Sequence, residues 1–171
     1  PVTKVDKKIE KLFRKSVKTK FPEHKVFGEE YQNDKSKSEY LWIVDPIDGT
    51  KSFIHGNYNF GTLICLSHYG KPILGFISCP LLKKRWMGIK DKGAYINNKL
   101  IKKKISKLNL RNTVISSSAF TAFKKNIKEN KLFYKLSEKI KYYIFGGDCV
   151  QYGLLASGRI SMVVENNLKP W

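Results

Sequence analysis

The 171 residues carry 33 Lys and Arg against 14 Asp and Glu, a net charge of +19, with 42% hydrophobic and 13% aromatic residues. That length suits one domain able to bury a core, and the apolar content excludes a disordered chain. No apolar run reaches membrane-spanning length and no signal-like start is present; 29 of the 33 basic residues are scattered lysines without a nucleic-acid-binding signature, so neither membrane nor nucleic acid is an expected partner.

In chain order, residues 4–20 place Val5, Ile9, Leu12, Phe13 and Val17 at helical spacing and predict an amphipathic helix. Thr3 and Asp6 at its start have the spacing of a capping box. Phe21-Pro22 ends the helix, and a short strand over 25–27 leads to Glu29 and Glu30. Residues 31–39, polar and rich in Lys and Ser, read as an exposed loop. Then Leu41-Trp42-Ile43-Val44 run into Asp45-Pro46-Ile47-Asp48-Gly49-Thr50. A continuous apolar run closed by Pro and Gly predicts a buried strand ending in a stiff turn.

Two carboxylates at a strand end can hold a hard cation. Gly49 and Thr50 open a short helix to Phe53, where free amides can take phosphate. Together these serve metal-assisted phosphoryl transfer. An ordinary surface turn is the competing reading of this stretch, weakened by Glu29 and Glu30 just upstream. The acids stand three apart, so the D-x-D-G-T pattern of aspartyl-nucleophile phosphatases is missing.

Apolar runs over 60–67 and 73–79 join at Tyr69-Gly70-Lys71-Pro72, and 85–89 and 94–96 flank Asp91-Lys92-Gly93. A further reversal falls at Asn97-Asn98, so a large, mainly antiparallel sheet is expected. Residues 114–117, 142–145 and 160–165 predict strands of a second, smaller sheet, with helices over 122–139 and 149–157, the latter closed by Gly158. This is a layered α/β pattern in a single domain, divided at about residue 105. Cys65, Cys79 and Cys149 lie in or beside apolar segments without C-x-x-C spacing, which predicts buried free thiols in a reducing cytoplasm. His24, His55 and His68 have no ligand spacing and read as structural or solvent-facing.

Gly28-Glu29-Glu30 and Trp42 to Thr50 resemble the signature of the inositol monophosphatase family of Mg²⁺-dependent, Li⁺-sensitive phosphatases. Lys169-Pro170-Trp171 is similar to the start of its closing motif. The resemblance implies a five-layered αβαβα sandwich, here incomplete, acting on a small phosphate monoester, with a homodimer as the full-length form. It implies one Mg²⁺ on Glu29, Asp45 and the Ile47 carbonyl, and a second sharing Asp45 and adding Asp48. Glu29 and Thr50, aided by Asp6, would hold the attacking water, while Gly49 and Thr50 hold phosphate. The family's remaining ligand is the Asp after the closing Trp, and this sequence stops at Trp171. A fragment short at both ends, and impaired in activity, is therefore expected.

Gly146-Gly147-Asp148-Cys149, with Tyr152 and Leu154-Leu155-Ala156-Ser157-Gly158, resembles the histidinol-phosphatase branch. Asp148 then suits a cationic substrate, and Glu165 its amine or hydroxyl. An N-cap on the following helix is the alternative for Asp148. The segment Ser116-Ser117-Ser118-Ala119-Phe120 departs from that branch. The expected reaction is hydrolysis of L-histidinol phosphate in histidine biosynthesis. Inositol 1-phosphate is the nearest rival and phosphorylated adenosine nucleotides a further one. A non-catalytic polyanion-binding domain is the rival from another class.

Overall fold

The computed structural model describes residues 2–33, 38–102, 109–119, 121, 123, 126–166 and 168–171. The chain divides into two compact units, Pro1–Ile101 with Pro170–Trp171, and Lys102–Lys169.

The first unit opens with helix α1, Lys4–Lys20, over the span its apolar spacing predicts. Its capping box is formed: Thr3 Oγ1 accepts from the Val5 and Asp6 amides, and the Asp6 carboxylate accepts the Thr3 amide at 2.9 Å and the Thr3 hydroxyl. Strands β1 (Lys25–Gly28), β2 (Tyr40–Asp48), β3 (Gly61–His68), β4 (Lys71–Cys79), β5 (Lys84–Ile89), β6 (Gly93–Ile96) and β7 (Lys99–Leu100) lie side by side in chain order. Only the β1–β2 pair is parallel; the other neighbours are antiparallel. Tyr69-Gly70 and Asn97-Asn98 supply the left-handed dihedrals that two-residue hairpin turns need, with φ of 47° and 74°, and of 46° and 66°. Helix α1 packs on β1 and β2, where Phe13 meets Trp42 edge-on at 5.8 Å.

One expectation is corrected here. Strand β2 does not turn after Val44 but continues through both aspartates to Asp48. Pro46 has no N–H to give the ladder, so the register shifts there, from Asp45 opposite Leu63 to Asp48 opposite Gly61. Three steps on β2 face two on β3, which is a bulge, the place where a strand tolerates proline. The Thr62 hydroxyl donates to the Pro46 carbonyl at 2.8 Å and ties the bulge down. The short helix α2, Thr50–Ile54, follows at once.

The second unit is a three-stranded sheet in the order β10-β8-β9, built from β8 (Val114–Ser117), β9 (Tyr142–Phe145) and β10 (Met162–Val163), with both neighbours parallel to β8. Helices α3 (Ile127–Ser137) and α4 (Asp148–Ala156) provide the crossovers, and α4 packs on β8 and β10. Helix α3 is shorter than the sequence suggests. Asn126 fixes its start, with Oδ1 accepting the Lys128 and Glu129 amides at 3.0 and 3.2 Å, while residues 122, 124 and 125 lie outside the described residues. Replacing Asn126 by Ala should cost about 1 kcal/mol in denaturant unfolding, the usual value of such a cap. Strand β10 is also shorter than 160–165, because beyond Val163 it is the Glu165 side chain, not the backbone, that receives the Ser118 amide, at 2.5 Å.

None of the three cysteines forms a disulfide; Cys79 and Cys149 are buried, but Cys65 is only half-buried, its thiol pushed up by that burial. His24 Nδ1 accepts the Trp42 indole N–H at 3.0 Å and is stacked between Phe21 and Tyr40, whereas His68 pairs with Glu39 at 2.9 Å. His55 is exposed. Among the described residues no helix is long and apolar enough to cross a membrane.

Candidate active site

The bulge gives Asp45 its unusual surroundings. Strand β2 buries Asp45 to 6% exposure. Among the described residues its Oδ1 finds no hydrogen-bond partner. Its carboxyl is pushed up to about 8, first by burial, then by the charges of Asp48 and Glu29, against one favourable bond from the Ile47 amide. A side-chain contact with Glu29 raises it further, so these two acids lie side by side. Asp48 follows at the end of β2, and the Ile47 carbonyl accepts the Thr50 hydroxyl at 3.0 Å.

The acidity extends to α1. Glu30, pushed up to about 6, is raised first by burial and then by Asp6, Glu29 and Glu10, with Lys7 opposing. Asp6 and Glu10 are buried on the same helix. Six of the chain's 14 acids are therefore electrostatically linked around one strand end, in a protein of net charge +19. Gathering acids this way raises the free energy of the fold unless cations answer them.

No three His, Cys, Asp or Glu side chains among the described residues form a ready-made cation cage. The donor set nevertheless fits a hard divalent cation: oxygen-only groups, a buried carboxylate oxygen without a partner, and carboxylates whose repulsion a cation would relieve. Glu29, Asp45, Asp48 and the Ile47 carbonyl are the groups that would hold it.

Gly49 adopts a left-handed φ of 80° and caps α2 without a side-chain bond. Helix α2 has only five residues, so it contributes little dipole to an anion site. The expectation of a helix-end phosphate cradle thus reduces to the two amides of Gly49 and Thr50.

In the second unit, Gly146 has φ of 78° and Asp148 has φ of 38°, a left-handed value uncommon for a non-glycine residue. The cap position of α4 is Gly147, and Asp148 is the helix's first residue, so the N-cap alternative for Asp148 does not hold. Glu165 Oε1 accepts the Ser118 amide at 2.5 Å and Gln151 Nε2 at 2.6 Å, and Gln151 is fully buried. Glu165 is thus tied into its own unit.

Sequence reasoning missed Glu10, Arg14, Asn33 and Gln151. Asp6, Glu10 and Arg14 recur every four residues, a polar stripe along one helix face that was the available signal for the first two.

A mixed sheet whose bulged strand gathers carboxylates, together with a unit on a small parallel sheet, is the architecture of a known phosphatase class. A solved IMPase/NADP phosphatase complexed with Mg²⁺ and phosphate superposes with a TM-score of 0.87 at 29% identity, over 99% of this chain and 63% of that one. The chain belongs to the inositol monophosphatase family, whose model matches residues 1–171. Among curated relatives, the bifunctional phosphatase IMPL2, chloroplastic, of Arabidopsis thaliana is 38% identical across 100% of this chain. A histidinol-phosphatase of Chlorobaculum parvum is 33% identical, again across 100% of this chain. The chain spans 49% and 65% of the length of these two relatives.

Proposed function

We propose that the whole protein is a Mg²⁺-dependent phosphate monoester hydrolase whose substrate is L-histidinol phosphate, a step of histidine biosynthesis. The observation that carries the hydrolytic reading is Asp45: buried, with an oxygen lacking a partner, and pressed between Glu29 and Asp48. Mg²⁺ bound to Glu29, Asp45, Asp48 and the Ile47 carbonyl would neutralise these acids and polarise water and phosphate. Thr50 gives its hydroxyl proton to the Ile47 carbonyl at 3.0 Å, which leaves its oxygen to accept from a water that Glu29 also orients. Asp6, held by the cap, supports that water's position. Water oxygen bonds to phosphorus as the ester P–O bond breaks; one water proton ends on the leaving oxygen and the other on phosphate, giving alcohol and inorganic phosphate. The Gly49 and Thr50 amides hold the phosphate oxygens by charge-assisted bonds.

Substrate choice rests on Asp148 and Glu165. A carboxylate at a left-handed helix start is a strained position, and strain of that kind clusters at working sites. The histidinol-phosphatase relative supports this choice, and the family supports hydrolysis over the polyanion-binding alternative. Inositol 1-phosphate is the second reading, favoured by the likeness to the solved IMPase/NADP phosphatase.

The experiment is phosphate release by the whole protein from L-histidinol phosphate and inositol 1-phosphate, with Mg²⁺ or with chelator. Histidinol phosphate should have the higher kcat/KM, and chelator should abolish both. Asp148→Asn should lower kcat/KM for histidinol phosphate about tenfold, the value of one charge-assisted contact, and for glycerol phosphate less than about twofold. Equal losses on both esters would remove Asp148 from recognition.

A further inference from the structure

Helix α1 contains a fully buried acid that capping does not explain. Glu10 is 0% exposed and pairs with Arg14, whose Nε donates to Oε1 at 2.8 Å and whose Nη2 stands 2.7 Å from the same oxygen. Its other oxygen, Oε2, accepts the backbone amide of Glu30 at 2.8 Å. Arg14 reaches on, with Nη1 donating to the Val26 carbonyl at 3.1 Å and Nη2 to Asn33 Oδ1 at 2.8 Å. Asn33 grips Gly28 on both sides: Oδ1 accepts the Gly28 amide at 2.7 Å, and Nδ2 donates to the Gly28 carbonyl at 2.8 Å. A Cβ on Gly28 would land on the Glu10 carboxylate, so only glycine lets helix and strand end approach this closely.

The two peptide planes that flank Glu29 are therefore both pinned. The plane before it is held through the Gly28 carbonyl by Asn33, and the plane after it through the Glu30 amide by Glu10. A buried ion pair seldom adds net stability over an apolar pair of the same volume. Burying Glu10 near Glu30, whose carboxyl it helps to push up, makes that balance worse, so stability does not account for it. Fixing the geometry of Glu29 does.

We propose that Glu10, Arg14 and Asn33 are positioning residues: they form a bracket that presents the Glu29 carboxylate to the cation it shares with Asp45. This rests on the metal reading above. The bracket holds Glu29 through backbone rather than side chain, which leaves both carboxylate oxygens of Glu29 for the metal and for Asp45. Groups that orient a metal ligand usually matter tenfold to a hundredfold in metal affinity.

The test is the Mg²⁺ dissociation constant of the metal-free protein by calorimetry, alongside its Tm in chelator. Glu10→Gln removes the charge that Arg14 needs, and Asn33→Ala releases Gly28; each should weaken Mg²⁺ binding about tenfold or more. Val17→Ala, buried on α1 but in none of the bracket's hydrogen bonds, serves as the control: it should lower Tm yet leave Mg²⁺ affinity within about twofold of the parent. Unchanged affinity in both Glu10→Gln and Asn33→Ala overturns the bracket while leaving the metal site standing. So does an equal loss in Val17→Ala, because a softened fold would then explain everything. If the unsubstituted protein binds no Mg²⁺, the metal reading itself falls and the bracket falls with it.

Discussion

Asp45→Asn is expected to lower phosphate release at least a thousandfold, and at the same time to raise the Tm of the metal-free protein. The loss follows if Asp45 is the carboxylate that the proposed reading gives to both metal positions, worth several kcal/mol in the transition state, or about three decades in rate. The gain follows from its protonation. Burial, then Asp48 and Glu29, push the Asp45 carboxyl up to about 8 from its ordinary 3.8. The folded value lies above the unfolded one, so the metal-free fold binds this proton more tightly than the unfolded chain does. That contribution is complete below about pH 4 and is lost as pH rises through about 8. Asn cannot ionise and keeps the polar contacts at little cost. In chelator the variant should therefore melt higher than the parent, by about 3 °C or more, since 1 kcal/mol moves a domain of this size by about that amount. The gap should widen from pH 5 to pH 8.5. Added Mg²⁺ should raise the Tm of the parent and leave the variant unmoved. Parent-like turnover in Asp45→Asn, or a Tm gap that ignores pH, would remove Asp45 from the metal site.

Legibility in the sequence followed the range of the forces involved. Hairpins were readable because the turns carry their own chemistry: Tyr69-Gly70 and Asn97-Asn98 suit left-handed dihedrals locally. The span of helix α1 was readable for the same reason, from its cap and apolar spacing, but its inner face was not: Val5 and Leu12 are exposed while Asp6 and Glu10 are buried with Val17. The bulge in β2 was not. Pro46 and Gly49 look alike in a turn and in a bulged strand, and the group that decides between them, the Thr62 hydroxyl on the Pro46 carbonyl, is 16 residues away. Glu10 and Arg14 had the spacing of an ordinary surface ion pair; the close approach of Gly28 buries its Glu10 half, while Arg14 stays partly exposed. In the second unit, the end of β10 was lost because Glu165, within a run that reads as strand, bonds by its side chain to Ser118. The carboxylates Glu29, Asp45 and Asp48 stood out in sequence as a group, yet the direct Glu29–Asp45 contact depends on β1 lying parallel to β2, with Gly28 opposite Val44.

Glu165→Ala should destabilise the second unit by about 3–5 kcal/mol, read by chemical denaturation, whereas Glu165→Gln should cost about 1 kcal/mol. Two donors, the Ser118 amide and Gln151 Nε2, converge on Glu165 Oε1 at 2.5 and 2.6 Å. Gln151 Nε2 also reaches Ser118 Oγ at 3.0 Å, but its Oε1 and the Ser117 hydroxyl already lack partners among the described residues. Truncation to Ala leaves both donors facing a new cavity, and a buried donor left unmade costs more than the bond was worth when made. Gln keeps an oxygen in the same place and loses only the charge. Stability and turnover then separate the two jobs of this side chain. Holding Ser118 and Gln151 predicts a large stability loss for Ala and a small one for Gln; binding the substrate amine predicts that Gln, though nearly as stable as the parent, raises KM for histidinol phosphate. Unchanged stability in Glu165→Ala would show that the Ser118–Gln151 network stands without the carboxylate, leaving Glu165 to the substrate alone.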